Sequence, residues 1–128
     1  MDEDVFSDFL KKRYEWVDSV SEWWQKEGFT AIIMPIWPCA PPKICDMDVL
    51  GLNVEYSMIW NTTGFPAGVM PVTTVKANEQ SHVDKFNDKY TKSMENTNRD
   101  SEGLPIHVQV IGHAYEDEKV LAIMKSLE

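Results

Sequence analysis

The sequence predicts an α/β fold in which helices pack against a sheet. Three features predict it: a helical apolar pattern over residues 3–27, a continuous apolar run at 30–38, and apolar alternation at 106–111. Helical and strand-like segments alternate to the end of the chain, which is typical of layered α/β domains. At 128 residues, without an internal repeat, the chain fits one domain.

The first predicted element is a long helix. Residues 3–27 contain neither Gly nor Pro, and Gly28 ends the pattern. Its expected buried stripe is formed by Phe6, Leu10, Tyr14, Val17, Val20 and Trp24, widened by Phe9, Trp16 and Trp23. The next run, TAIIMPIWP at residues 30–38, does not alternate, so we expect a strand that is covered on both faces.

The middle of the chain predicts a loop, a helix and a strand. Residues 39–51 form the loop, with one short helical turn, and residues 53–62 form the helix, which Gly64 and Pro66 end. The strand at 68–75 contains Pro71. Because proline has no N–H for the strand ladder, we expect this strand at a sheet edge or beside a bulge.

The last third predicts a surface excursion, a strand and a closing helix. Residues 76–103 are polar, and the excursion keeps helical spacing at Val83, Phe86, Tyr90 and Met94. The strand after Gly103 places Ile106, Val108 and Val110 on one face and His107, Gln109 and Ile111 on the other. The closing helix has an acidic first turn, which the helix dipole favours, and a stripe of Val120, Leu121, Met124 and Leu127.

Composition excludes several classes of function. A net charge of −9 disfavours binding to nucleic acid or to an anionic membrane surface. No apolar run reaches the length of about 20 residues that spans a bilayer, and the acidic N-terminus is unlike a secretory signal. We therefore expect an intracellular protein in which Cys39 and Cys45 are reduced thiols, a bridge between them being the alternative. Five tryptophans indicate either a core of large side chains or a face that something outside the chain covers.

Four segments in order resemble the C-terminal part of amidase-signature hydrolases. They are EGFTAIIMPIWPCAPP, EYSMIWNTTGFPAGVMPVTTV, GLPIHVQVIG and YEDEKVLAIMKSLE. Within that family, FPAGVMPVTTV and the polar excursion before GLP are most similar to fatty acid amide hydrolases. The resemblance implies a mixed sheet flanked by helices, with a long first helix and a closing last helix, and small residues at Ala67 and Gly68 for a close approach. Residues 1–128 would be a C-terminal fragment, with 76–103 as its polar excursion.

The resemblance also implies an activity that this chain does not complete. Enzymes of the family cleave amides with a Ser–cis-Ser–Lys triad, held in a Gly- and Ser-rich segment of their N-terminal half. No stretch of this sequence matches that segment, and none forms a Gly-x-Ser-x-Gly elbow. We therefore expect an inactive chain whose partner is a missing N-terminal half and whose substrate is a lipid-like or other small amide. In the lipid-amide branch, membrane attachment comes from elements that precede this segment.

Four substrate-binding positions carry over from the resemblance: Gly51, Val54, Met58 and Tyr115. Val54 and Met58 share a helix face, a spacing that suits core packing as well as a channel wall. Methionine adapts to a variable lipid tail, and Tyr115 stands where the family has tryptophan. We expect no cofactor and no metal, because His82, His107 and His113 lack zinc-ligand spacing and the family uses neither. The glycosylation sequon at Asn61 is interpreted as structural.

Two further hypotheses come from other classes of protein. One is a stand-alone module that binds an acyl chain along Val54, Met58 and Tyr115 without catalysis. The other is self-association into a homo-oligomer through the tryptophan-rich first helix and unpaired sheet edges.

Overall fold

The computed structural model describes residues 3–81 and 84–128, with only the backbone of Glu3. Its helices are α1 (Glu3–Glu27), α2 (Met47–Leu50), α3 (Glu55–Thr63), α4 (Lys89–Asn98) and α5 (Asp117–Leu127). Its strands are β1 (Ile32–Pro35), β2 (Ala67–Thr74) and β3 (Pro105–Ile111). This order of elements confirms the α/β fold class. The expectations for His82 and Val83 lie outside the described residues.

The three strands form a sheet in the order β1-β3-β2. Hydrogen bonds from Val75 N–H to Leu104 O and from Gly112 N–H to Pro66 O show that β2 and β3 run antiparallel. Among the described residues β2 is an edge strand, so the expectation for Pro71 is confirmed. The expectation for β1 is wrong. This strand lies at the other edge, and its side chains alternate between half-buried and exposed because only one of its faces is covered.

The chain divides into two compact units, and each is described by itself. The first comprises the described part of Met1–Ile32 together with Ile59–Gly68 and Val110–Glu128. Its core is an aromatic cluster in which the Trp24 ring lies 5.6 Å from the Phe65 ring and 6.1 Å from the His113 ring, measured between centroids. Trp24, Phe65 and Trp60 are all buried, as one of the two explanations for the tryptophans requires.

Two glycines allow α5 to pack directly against strand backbone in this unit. A Cβ at Gly68 would overlap the sulfur of Met124, as expected for a position that needs a small residue. A Cβ at Gly112 would lie 2.6 Å from Val120 Cγ2, closer than carbon atoms can approach. Val120 is the buried centre of α5, whereas Leu121 and Leu127 are exposed, so half of the predicted stripe is wrong.

Helix α1 ends where it was predicted to end, at a left-handed Gly28 with φ of 70°. The predicted buried stripe is confirmed only at Trp24, because the described contacts of the unit involve the last turns of the helix. Leu10, Val17 and Val20 are half-buried. The other apolar residues of the predicted stripe are exposed: Phe6, Phe9, Tyr14, Trp16 and Trp23.

The second unit comprises Ile33–Met58 and Val69–Gln109 and contains α2 and α4. Helix α4 confirms that the polar excursion carries a helix, but it begins later than the spacing from Phe86 predicts. Asp88 is the reason, because its carboxylate accepts the N–H groups of Tyr90 and Thr91 at 2.9 and 3.0 Å and so caps the helix. The bond from the Thr91 N–H is the main cause of a lowered pKa for the exposed Asp88.

Candidate functional site

Three of the four predicted substrate-binding residues lie in one segment of the second unit, residues 44–58. A 3₁₀ turn at Ile44–Asp46 leads into α2, and a second at Gly51–Val54 leads into α3. The chain turns tightly here and exposes one apolar side chain after another to solvent. The exposed apolar residues of the segment are Ile44, Met47, Leu52, Val54 and Met58.

Buried side chains fix the backbone of this segment at its N-terminal end. Leu50, the last residue of α2, is completely buried. Asp46, also buried, accepts hydrogen bonds from Asn96 Nδ2 at 2.8 Å and from Thr97 Oγ1 at 3.1 Å. Lys43 Nζ donates to the backbone oxygen of Asn96 at 2.7 Å. Helix α4 therefore holds the start of the segment in place by hydrogen bonds to the Asp46 carboxylate and from the Lys43 ammonium group.

Gln109 fixes the other end of the segment. Its side-chain amide nitrogen donates to the backbone oxygen of Tyr56 at 2.7 Å and to that of Pro35 at 3.1 Å. Gln109 is buried, so both bonds satisfy carbonyl groups away from solvent. The sequence pattern predicted only the strand face of Gln109. A polar residue at a central-strand position is the signal that would have marked it as a structural anchor.

The structure brings Gly51, Val54 and Met58 into this segment, but not onto one continuous helix. Val54 ends the second 3₁₀ turn and is 40% exposed, whereas Met58 lies in α3 and is 52% exposed. A Cβ at Gly51 would meet no atom within 4 Å, so the space in front of this glycine is open. Plain core packing, the alternative that spacing left open, does not describe Val54 and Met58.

Tyr115 belongs to the first unit, on the turn that precedes α5. Its side chain is 95% exposed, and its backbone is left-handed, with φ of 65°. A tyrosine rarely adopts that conformation, since its Cβ crowds the following carbonyl. The neighbouring Glu116 carboxylate is hydrogen-bonded to Lys119, which is the main reason that its pKa is lowered. An aromatic ring held outside the core in a strained turn is consistent with a contact surface.

A second feature of the first unit was not anticipated from the sequence. Ser21 Oγ lies 2.6 Å from His113 Nε2 and joins α1 to the turn after β3. Nucleophilic catalysis also needs a group that orients the histidine and donors for the oxyanion. Among the described residues, no carboxylate is hydrogen-bonded to the His113 ring, whose neighbours are Trp24 and Phe65. The pair is therefore interpreted as a structural link.

Two cavities of the second unit, about 230 and 340 Å³, share Trp37, Cys39 and Ile106 in their walls. Both cysteines are free thiols, which confirms that expectation. Burial is the largest cause of a raised pKa for Cys39; the Asp46 charge also raises it, and the Trp37 indole opposes the shift. The Trp37 indole N–H is buried but forms no hydrogen bond of normal geometry, so its effect on the thiol is weak. A thiol with a raised pKa is mostly protonated at neutral pH, and a protonated thiol is a poor nucleophile.

In residues 3–81 and 84–128, no group of three or more His, Cys, Asp or Glu side chains is arranged to hold a metal ion. Within the same range, no helix combines the length and the apolar character needed to cross a bilayer.

Known proteins similar to this chain agree on one family. The family model described as Amidase matches residues 3–121. Fatty-acid amide hydrolase 1 of Sus scrofa is 34% identical over 79 residues, 59% of this chain and 14% of that protein. Fatty acid amide hydrolase 1 of Caenorhabditis elegans is 30% identical and matches 98% of this chain but 22% of its own length.

A solved structure supports the fold. A structure titled fatty acid amide hydrolase matches 99% of this chain with a TM-score of 0.81 and 22% identity, again over 23% of its own chain. The chain thus spans between about a seventh and a quarter of the length of these similar proteins. The resemblance to amidase-signature enzymes and to fatty acid amide hydrolases that was noted in the sequence is confirmed. Because the family model covers nearly the whole sequence, this chain belongs to the amidase family.

Proposed function

We propose that the chain is the C-terminal portion of a serine amide hydrolase and forms one wall of its substrate channel. The observation that carries the proposal is the 44–58 segment, where apolar side chains are exposed on a backbone that Leu50, Asp46 and Gln109 hold in place. Exposed apolar groups that cluster in one segment are typical of ligand or protein contacts. A fixed backbone lets them present a constant surface to an apolar substrate.

The substrate class is a fatty acid amide or a related small carboxamide. Val54 and Met58 would contact the acyl chain, and the open space at Gly51 would leave room for it. The flexible thioether of Met58 adapts to chains of different shape. The names of the similar proteins support this substrate class, and the nucleophile, its activating groups and the oxyanion donors would come from an N-terminal half.

The first test is covalent labelling of the 128-residue chain. We expect no adduct with a fluorophosphonate, which reacts with activated serines, and no release of fatty acid from a fatty acid amide. Intact-protein mass spectrometry and product chromatography make these measurements, with a complete serine hydrolase as the positive control. A stoichiometric adduct on the chain would contradict the proposal that the nucleophile lies outside these 128 residues.

The second test locates the wall. A fatty acid amide that carries a diazirine at mid-chain should cross-link to residues 44–58 on irradiation. Met58→Glu should lower the cross-linking yield about tenfold, because a carboxylate is costly to desolvate against an acyl chain. Met58→Leu should keep the yield, and so should Leu121→Glu, which places the same charge at an exposed leucine of the first unit. Peptide mapping by mass spectrometry measures the yield. Cross-links that avoid the 44–58 segment, or that Met58→Glu leaves unchanged, would contradict the assignment.

A further inference from the structure

Helix α1 carries an exposed apolar face that the proposed wall does not use. Phe9, Trp16 and Trp23 are seven residues apart, and they and Val5 are all exposed. With 3.6 residues per turn, the four residues lie within about 40° of one another around the helix, and from Val5 to Trp23 they cover about 27 Å of its length. We call these four residues the open face of α1.

The open face is continuous with the core of the first unit. The ring of Trp23 lies 5.0 Å from the ring of Phe29, which lies 6.0 Å from the ring of the buried Trp24, measured between centroids. Trp24 in turn contacts Phe65 in the core. A chain of aromatic contacts therefore leads from buried rings to an exposed tryptophan. Because a domain has one contiguous apolar core, we expect a surface that extends this core to be covered by more of the same fold.

The exposed apolar residues of α1 are spread too widely for one partner helix to cover. Besides the open face, Phe6 and Tyr14 are exposed, and Tyr14 lies about 160° from Trp16 around the helix. A pair of helices buries a stripe narrower than about 100° on each partner. A second copy of α1 on the open face would leave Tyr14 in water, so a complete cover comes from several elements.

The structural match indicates where such elements come from. The solved structure titled fatty acid amide hydrolase matches 99% of this chain, so α1 is included, yet the match spans only 23% of that structure's own chain. The family fold therefore holds a segment of this shape within a much longer chain. The exposed charges of α1 are mostly acidic, which disfavours an anionic lipid surface as the alternative cover.

We propose that the open face of α1 is the surface on which the rest of an amidase chain packs. The occupant is the N-terminal portion that would carry the nucleophile, so this inference rests on the proposed function and names the surface that joins the two parts. A second copy of this chain and a lipid surface are the rival occupants. Trp16, in the middle of the open face, is the position at which the three occupants are distinguished.

Cysteine labelling in a chimera tests the proposed occupant. The 128-residue chain replaces the segment that it matches in fatty acid amide hydrolase 1 of Caenorhabditis elegans, 22% of that protein, and a fluorophosphonate adduct shows that the chimera is folded. We expect a maleimide to react with Trp16→Cys at least about tenfold more slowly in the chimera than in the isolated chain, because a covered thiol reacts only on local opening. Peptide mapping by mass spectrometry separates this thiol from Cys39 and Cys45.

Asp18→Cys is the matched control for the chimera. Asp18 is exposed and lies about 160° from Trp16 around the helix, so its labelling rate should change by less than about twofold between the chimera and the isolated chain. A chimera that forms the fluorophosphonate adduct, but in which Trp16→Cys reacts as fast as in the isolated chain, overturns the proposal.

The isolated chain tests the rival occupants, whether or not the chimera folds. We expect sedimentation velocity to show a monomer, and Trp16→Cys and Asp18→Cys to react at similar rates with and without phosphatidylcholine vesicles. A dimer in which only Trp16→Cys is protected, or protection of that thiol by the vesicles, overturns the proposal in favour of a second copy or of a lipid surface. A fluorophosphonate adduct on the isolated chain would contradict the proposed function but leave these labelling rates unchanged, so the two failures are distinguishable.

Discussion

Leu50→Ala is expected to lower the free energy of unfolding by about 2 to 5 kcal/mol. Leu50 is 0% exposed and is the largest fully buried side chain of the second unit. Removing three of its carbon atoms loses their burial and leaves a cavity, because the two 3₁₀ turns beside α2 limit how far the backbone can relax. Urea unfolding followed by tryptophan fluorescence measures the change.

Leu52→Ala is the matched control for this prediction. It removes the same atoms two residues further along the chain, from a side chain that is 72% exposed. We expect a change of about 0.5 kcal/mol or less, as for other surface substitutions. Equal effects of the two substitutions would show that α2 does not anchor the 44–58 segment as the structure describes.

Asp46→Ala is expected to lower the free energy of unfolding by about 2 to 4 kcal/mol, because Asn96 Nδ2 and Thr97 Oγ1 both lose the same acceptor. Thr97 is buried, so its hydroxyl group has no ready access to water as a replacement. The loss would also free the start of the 44–58 segment from α4. Amide hydrogen exchange should therefore speed up at residues 44–50 as well as in α4.

Asp48→Ala controls for the loss of one negative charge. Asp48 lies two residues further along and is exposed, and no described residue forms an ion pair within 4 Å of it. We expect a change below about 0.5 kcal/mol. A large loss of stability in Asp48→Ala, or none in Asp46→Ala, would mean that net charge rather than the hydrogen bonds to α4 determines the effect.

The buried residues that hold the 44–58 segment in place were less predictable from the sequence than its candidate substrate-binding residues. Gly51, Val54 and Met58 came from a family resemblance, and their substrate-binding role stays a prediction. Asp46 carried no signal of its role, because a single aspartate in a loop occurs in many sequences. Gln109 stood out only as a polar residue in a predicted strand, which does not show what it binds. Only the burial of both side chains, and the oxygen and nitrogen atoms that surround them, show that they hold the segment.

The sequence by itself determined the features that depend only on residues close together along the chain. The absence of Gly and Pro over residues 3–27 predicted α1, and Gly28 ends it because only glycine adopts a left-handed conformation without strain. The missing N–H of Pro71 predicted an edge strand, since a central strand must donate to both of its neighbours. The order of short motifs predicted the family.

The tertiary structure alone decided which apolar residues are buried. The apolar spacing in α1 predicted one wide buried stripe. The described fold instead buries Trp24 and exposes Phe9, Trp16 and Trp23 on the adjacent face. In the same way, β1 proved to be half-covered and Leu121 proved to be exposed. The period of a helix or strand shows only which residues share a face. Whether that face is buried depends on the element that packs against it. That element is distant in sequence or belongs to another molecule, so the local pattern does not reveal it.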